Sequence, residues 1–350
     1  MKKILIISGE YKNYERNYLF FEILKKKYSI INYNYEGNFF KKNLNIIKII
    51  FLNYDLIFIN WPYWSSFFMV NFINYFKRKP IIYDFFTLIH EDYLDKNFNK
   101  KKIFIIDRLY LYFEKFIVNK SSALITDTEI HKNILIRKSK KMNNQILSFE
   151  ISQKKVSFIK SKKRKSKLKL LHSSANRNMH GADKIIHLIA SLPKKIKSKI
   201  KLKMILKDYQ GKLQLLTDKY NLKNNVEIFK RVKKNFFLDS VKKADVCLGI
   251  FGNSNKSNNV ISNFIVTSCN YSKIIITKKT LASNYYLKNN ANIILLSQIN
   301  SRSLLKAIKK ILSSKKIINL KKDSSKIIFD KKFDIKINSR KLIKFFDQCL

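Results

Sequence analysis

Residues 244–277 read ADVCLGIFGNSNKSNNVISNFIVTSCNYSKIIIT. An apolar run at 245–251 passes through a turn rich in Gly, Asn and Ser into a helical stretch near 260–270, then into a second apolar run at 273–277. Two strands joined by a helix do not close a hairpin. They lie parallel, with the helix crossing one face of the sheet.

The same alternation extends in both directions. Toward the N-terminus of this half come strands at 168–174 (LKLLHSS), 200–206 (IKLKMIL) and 225–229 (NVEIF), with helices at 181–192, 211–221 and 235–243. Beyond it come a strand at 292–296 (NIILL) and a helix at 302–313. The first half repeats the plan, with strands at 3–8 (KILIIS), 28–35, 54–60 (YDLIFIN), 79–85 (KPIIYDF) and 122–128 (SALITDT). Its helices include 15–27 and 104–119. The expected fold class is therefore α/β, with two tandem Rossmann-like domains, each a mostly parallel sheet with helices on both faces. Domain boundaries follow from composition: an N-terminal domain at 1–151, a basic linker at 152–167, a C-terminal domain at 168–334, and a helix at 335–350.

Composition narrows the class of protein. The 350 residues carry 72 Lys plus Arg against 24 Asp plus Glu, a formal charge of +48, with 46% hydrophobic residues. That apolar content supports a packed core rather than disorder. Only nine of the 72 basic residues are Arg, while Gly and Pro are scarce, a composition of the kind an AT-rich genome writes. Readers of bases and phosphates rely on the planar Arg fork, so the lysine-dominated charge argues against nucleic-acid recognition and leaves an anionic membrane surface as the alternative partner. Three scattered cysteines make neither a disulfide framework nor a zinc site, and no metal or cofactor is implied.

Two stretches bear on membranes. Met1 to Lys3 followed by Ile4–Ile7 resembles a signal peptide, but the apolar run stops at Ser8-Gly9 and reads as a first strand. From Leu56 to Phe76 no charged residue occurs, a length that could span a bilayer. Asn60, Pro62, Ser65, Ser66, Asn71 and Asn74 interrupt it, so it reads as a buried strand and an aromatic helix, with an interfacial helix as the second reading. The expected location is cytoplasmic, with a peripheral association at the inner face of the membrane as the variant.

Ligands of open α/β sheets bind at the carboxyl ends of the strands. In the first half this selects the segments 8–16, 84–92 and 127–131, with Asp84, His90, Glu91, Asp92, Asp127 and His131 as acid and base candidates. A plainer reading is that Asp127 and Thr128 cap a helix beginning at Glu129. In the second half it selects the segments 173–181, 207–211 and 249–263.

These strand-end segments resemble those of the GT-B glycosyltransferases, particularly the retaining family 4 group (glycosyl transferases group 1). The resemblance covers nearly the whole chain. Its most specific part is 244–277, similar to a family segment of the form A-D-x-x-L-G-I-F-G, then Lys, then V-I-x-N-K with a following Glu, and a strand ending in Thr. NMHGADKIIHLIASL (178–192) is similar to the family's Leu-His-Gly or Lys-Gly helix start, and FDIKINSRKLIKFFDQCL (333–350) to its last helix, which crosses back onto the first domain.

The resemblance implies a hexosyltransferase-type enzyme that moves a sugar, with retention, from a nucleotide-diphosphate sugar to a glycan, lipid-linked or other surface-polysaccharide acceptor. It implies a donor-binding set of Gly9, Ser174, Arg177, His180, Gly181, Lys256, Asn259, Asn263 and Thr267. The strand-end positions select Asp84, His90, Glu91, Asp127 and His131 as the catalytic set, while the resemblance implies that no dedicated base is essential, the leaving diphosphate helping to deprotonate the acceptor. Where the family places Lys and then the Glu that grips the donor ribose, this chain has Phe264 and Thr267, and no Asp or Glu lies between Asp245 and Asp323. Losing such a charge-assisted hydrogen bond costs about 1.5–3 kcal/mol of donor binding. Two alternatives stay open beside the enzyme: a catalytically impaired domain of the same fold that binds nucleotide sugar or glycan, and a basic nucleic-acid-binding protein.

Overall fold

Among the described residues, twelve strands pair parallel in two six-stranded sheets. The computed structural model describes residues 1–8, 14–34, 46–97, 104–157, 167–175, 178–206, 211–288, 292–313 and 324–350. The chain divides into two compact units: Met1–Tyr93, Lys100–Ile151 and Lys336–Leu350 in the first, Leu94–Asn99 and Ser152–Ile335 in the second.

In the first unit the strands are β1 (Lys3–Ser8), β2 (Ser29–Asn34), β3 (Leu56–Ile59), β4 (Ile81–Phe85), β5 (Ala123–Thr126) and β6 (Ile146–Ser148), in the order β2-β1-β3-β4-β5-β6. The helices between them are α1 (Glu15–Leu24), α2 (Ser66–Lys77), α3 (Ile89–Lys96), α4 (Phe104–Lys120) and α5 (Glu129–Lys138), with a 3-10 turn at Ile47–Phe51 before β3. Every residue of β3, β4 and β5 is buried, the signature of a parallel strand covered on both faces. The charge-free run from Leu56 is thus β3 followed by α2, as its polar interruptions imply. No helix among the described residues is long and apolar enough to cross a membrane.

The second unit carries β7 (Leu168–Ser174), β8 (Ile200–Leu206), β9 (Val226–Lys230), β10 (Val246–Leu248), β11 (Ile274–Lys278) and β12 (Ile293–Leu296), in the order β12-β11-β10-β7-β8-β9. Its helices are α6 (Ala182–Ala190), α7 (Lys194–Lys197), α8 (Lys212–Lys219), α9 (Lys234–Lys243), α10 (Asn255–Asn259), α11 (Asn263–Asn270), α12 (Leu281–Tyr286), α13 (Ser301–Ser313) and α14 (Ser324–Ile328). A bridge pairs Gln153 with Asp334. The last helix, α15 (Ile335–Cys349), packs in the first unit, where Phe346 meets Phe58 edge-on at 5.2 Å and Lys27 pairs with Asp347 at 2.6 Å.

Two departures from the sequence expectation matter for the site. The apolar run 245–251 is a strand only over Val246–Leu248: Gly249 and Ile250 still bond to β11, but Phe251 and Gly252 turn away to bond with the loop after β7. The short β6 was not expected at all: three residues give no readable alternation.

Candidate functional site

Parallel pairing puts the turns that follow β1, β3, β4, β5 and β6 at one edge of the first sheet. At that edge Arg16, on the first turn of α1, reaches Asp84 in β4. Its Nε donates to both carboxylate oxygens at 3.0 and 3.2 Å and its Nη2 donates to Oδ1 at 2.9 Å. The remaining guanidinium donors go to the carbonyls of Phe149 and Thr126, and the group stacks over Phe20, Phe86 and Phe149. Burial pushes the Asp84 carboxyl above its usual pKa range, while Arg16 pulls it back. A carboxylate enclosed in this way anchors α1 to the sheet.

Glu91, His131 and Asp127 come together beside it, all buried. His131 Nδ1 lies 2.5 Å from Asp127 Oδ1 and its Nε2 lies 2.7 Å from Glu91 Oε2. Burial disfavours the imidazolium, but the two carboxylates outweigh it and raise the pKa of His131 to about 10. The ring is therefore protonated at neutral pH, donates from both nitrogens, and has no lone pair with which to act as a base. The capping reading holds as well, but for Thr128: its hydroxyl accepts from the His131 amide at 3.2 Å. His90 stands apart from this trio, with Nε2 2.7 Å from Asp107 Oδ1 and its amide donating to Glu114. Asp92 is buried on α3. Of the five residues in the expected catalytic set, three form one cluster, one is paired to Arg16 and one faces α4. Arg16 closes the strand-end segment 8–16 that the sequence selected, but its pairing with Asp84 was not anticipated.

In the second unit the loop after β7 and the loop after β10 are fastened together. Phe251 donates its amide to His180 O at 3.0 Å and Gly252 to Met179 O at 3.2 Å. Two glycines make the approach feasible. Gly181 adopts φ +64° as the N-cap of α6, and a Cβ there would sit 2.7 Å from Gly252 N. A Cβ on Gly252 would fall inside the contact radius of the Asn178 and Met179 carbonyl oxygens. The His-Gly and GIFG signals thus have a concrete cause: each glycine makes room for the other loop.

Around this seam the polar groups are ordered. Lys278, at the end of β11, donates to Gly252 O at 3.2 Å and Asn253 Oδ1 at 3.0 Å, and burial together with the charge of Lys184 lowers its pKa. Lys278 was not anticipated; a Lys closing an apolar strand was the available signal. The Ser257 hydroxyl, on α10, lies within hydrogen-bonding distance of the Gly252 and Ser254 carbonyls, and the same helix carries Lys256 and Asn259, both buried. His172 in β7 is neutral, its pKa lowered to about 4 by burial. With Nδ1 donating to Leu248 O at 2.8 Å, Nε2 accepts from the Ser174 hydroxyl at 3.0 Å.

Asn263 and Thr267 are engaged elsewhere. Gln153 Nε2 donates to Asn263 Oδ1 at 2.6 Å and to Thr267 Oγ1 at 2.8 Å, and Asn270 on the same helix holds the amide of Val156. Phe264 is buried against His172 and Phe237. Gly9 and Arg177 lie outside the described residues. The buried acid Asp95 was missed. In the second unit, neither of its carboxylate oxygens is hydrogen-bonded among the described residues, while its carbonyl accepts from Asn178 Nδ2 at 3.2 Å. Among the described residues no group of three or more His, Cys, Asp or Glu is placed to hold a metal ion.

No protein-family model matches the sequence, and no curated protein matches it. Solved structures do. Anabaena HepE, crystallised with UDP and glucose, superposes with a TM-score of 0.75 at 12% identity, covering 99% of this chain and 100% of that one. Sucrose-phosphate synthase from Thermosynechococcus elongatus gives 0.76 at 12% identity, covering 99% of both chains. The lipopolysaccharide outer core galactosyltransferase WaaB, in its apo form, gives 0.68 at 10% identity over the full length of both. With two parallel six-stranded sheets flanked by helices, the chain has the two-domain GT-B fold.

Proposed function

We propose that the protein is a glycosyltransferase that takes a sugar from a nucleotide-diphosphate donor held by the second unit and passes it to a saccharide or lipid-linked saccharide acceptor bound at the first. The observation that carries this reading is the seam at the strand ends of the second sheet, where the turn 178–181, the Gly252 loop, Lys278 and the helix bearing Lys256 meet. Lysines at such strand ends neutralise a leaving diphosphate. The fold shared with HepE and WaaB supports the same class of chemistry.

The trio in the first unit positions rather than transfers. His131, held as an imidazolium, keeps Glu91 and Asp127 at fixed places at the strand ends, where acceptor hydroxyls would find carboxylate partners. With His131 protonated and each carboxylate paired to it, retention assisted by the departing diphosphate fits these groups best. UDP is the first ligand to try, because HepE was crystallised with it. Calorimetric titration with UDP, and assay of UDP release from a panel of UDP-sugars with oligosaccharide acceptors, test the proposal. Lys256→Ala and Lys278→Ala should each weaken UDP binding by about 10- to 100-fold, the effect of one charge-assisted hydrogen bond. No binding of any nucleoside diphosphate would sink it.

A second reading, binding without turnover, draws on the Gln153 contacts to Asn263 and Thr267. It predicts UDP binding at full strength with no release of UDP from any donor.

A further inference from the structure

The first unit leaves a broad apolar surface uncovered. On α2, Phe72, Tyr75 and Phe76 are 64%, 74% and 66% exposed; on α4, Phe104 and Ile105 reach 67% and 74%, with Leu109 and Tyr112 exposed beside them. Phe51 and Ile47, on the 3-10 turn that packs against α2, extend the surface. These are not scattered singles. Trp64 and Phe68 contact Tyr110, Phe113 and Phe116 at ring distances of 5.0–6.0 Å, which joins the two helices into one apolar layer. A patch of this kind on a soluble fold marks an interaction surface.

Its charged residues all have one sign. The exposed charged side chains on these three elements are Lys48, Arg108, Lys115 and Lys120, and Arg78 follows α2 directly. The acids of α4 are withdrawn: Asp107 faces His90 and Glu114 is buried. A second copy of the chain would bring these cations against themselves with no carboxylate to receive them. An anionic surface would be complementary along the whole layer, and Phe and Tyr among Lys and Arg are the residues that settle at a lipid–water boundary.

We propose that α2, α4 and the turn before β3 form a docking surface for an anionic lipid bilayer. The aromatic and aliphatic side chains enter the interface, and the flanking cations meet the headgroups. This attachment is peripheral and does not depend on the transferase reading.

Flotation of the full-length protein with vesicles of phosphatidylcholine alone, and of equimolar phosphatidylcholine and phosphatidylglycerol, tests it. The triple variants Phe72→Ser/Tyr75→Ser/Phe76→Ser and Phe104→Ser/Ile105→Ser/Leu109→Ser alter exposed side chains only and leave the net charge untouched. Each should lower partitioning onto the anionic vesicles by about tenfold or more. Leu215→Ser, exposed in the second unit, should leave it unchanged. Trp64, half-buried under the layer, supplies a second readout: brominated lipids should quench tryptophan emission in the parent and not in the variants. Undiminished flotation of both serine variants would mean that lysine attraction alone binds lipid, and would overturn the proposal. So would an absence of binding to either vesicle, or an oligomer in light scattering that the variants convert to monomer.

Discussion

Arg16 grips Asp84 through two guanidinium nitrogens at 2.9–3.2 Å, with the carboxylate fully buried and the cation packed among three phenylalanines. The pair ties the first helix to the central strands of the first sheet. Removing one partner leaves an uncompensated buried group, so Arg16→Met and Asp84→Ala should each destabilise the fold by about 3–5 kcal/mol, whereas the double variant should lose less than the sum. Urea denaturation of the three variants measures this coupling.

The Glu91–His131–Asp127 cluster makes stability depend on pH. His131 has its pKa raised from 6.5 to about 10, so the folded state binds its proton more tightly than the unfolded state. The stabilisation is complete below pH 6.5 and is lost as pH rises toward 10, with a slope of at most about 1.4 kcal/mol per pH unit. His131→Gln should flatten the urea midpoint against pH across this window. An unchanged slope in the variant would show that the proton is taken up elsewhere.

The loop seam of the second unit has no space for a methyl group. Gly252→Ala should cost about 1–3 kcal/mol, since the two loops must separate to admit it. If the seam also cradles a nucleotide, UDP affinity should fall with it. Thermal melts and calorimetry on one protein sample read both quantities.

Asp95 carries two buried oxygens without a hydrogen-bond partner among the described residues. Replacing it by Leu, of similar volume, should raise stability by about 1–3 kcal/mol, the cost of leaving such a group unsatisfied. A fall in stability would reveal a partner for the carboxyl in solution.

The alternation of apolar runs with helical stretches was readable in the sequence; β7 and β8 coincide with the runs at 168–174 and 200–206. What escaped was set by contacts distant along the chain. The end of β10 could not be read from 245–251, since the residues that draw Gly252 away are Met179 and His180. The roles of Asp84 and His131 were hidden for the same reason: a strand-end carboxylate looks alike whether it faces solvent or an Arg 68 positions away. Lys278 was indistinguishable among so many lysines until its two acceptors were known.

Because α15 belongs to the first unit, a chain emerging from the ribosome meets an order of events. The second unit has all of its strands in hand before residues 336–350 appear, while β1–β6 must wait with the Phe20, Phe58 and Phe149 side of the sheet uncovered until Phe346 arrives. Truncation before α15 should therefore harm the half of the protein synthesised earliest, and a fragment ending at 151 should be insoluble unless the last helix is supplied in trans.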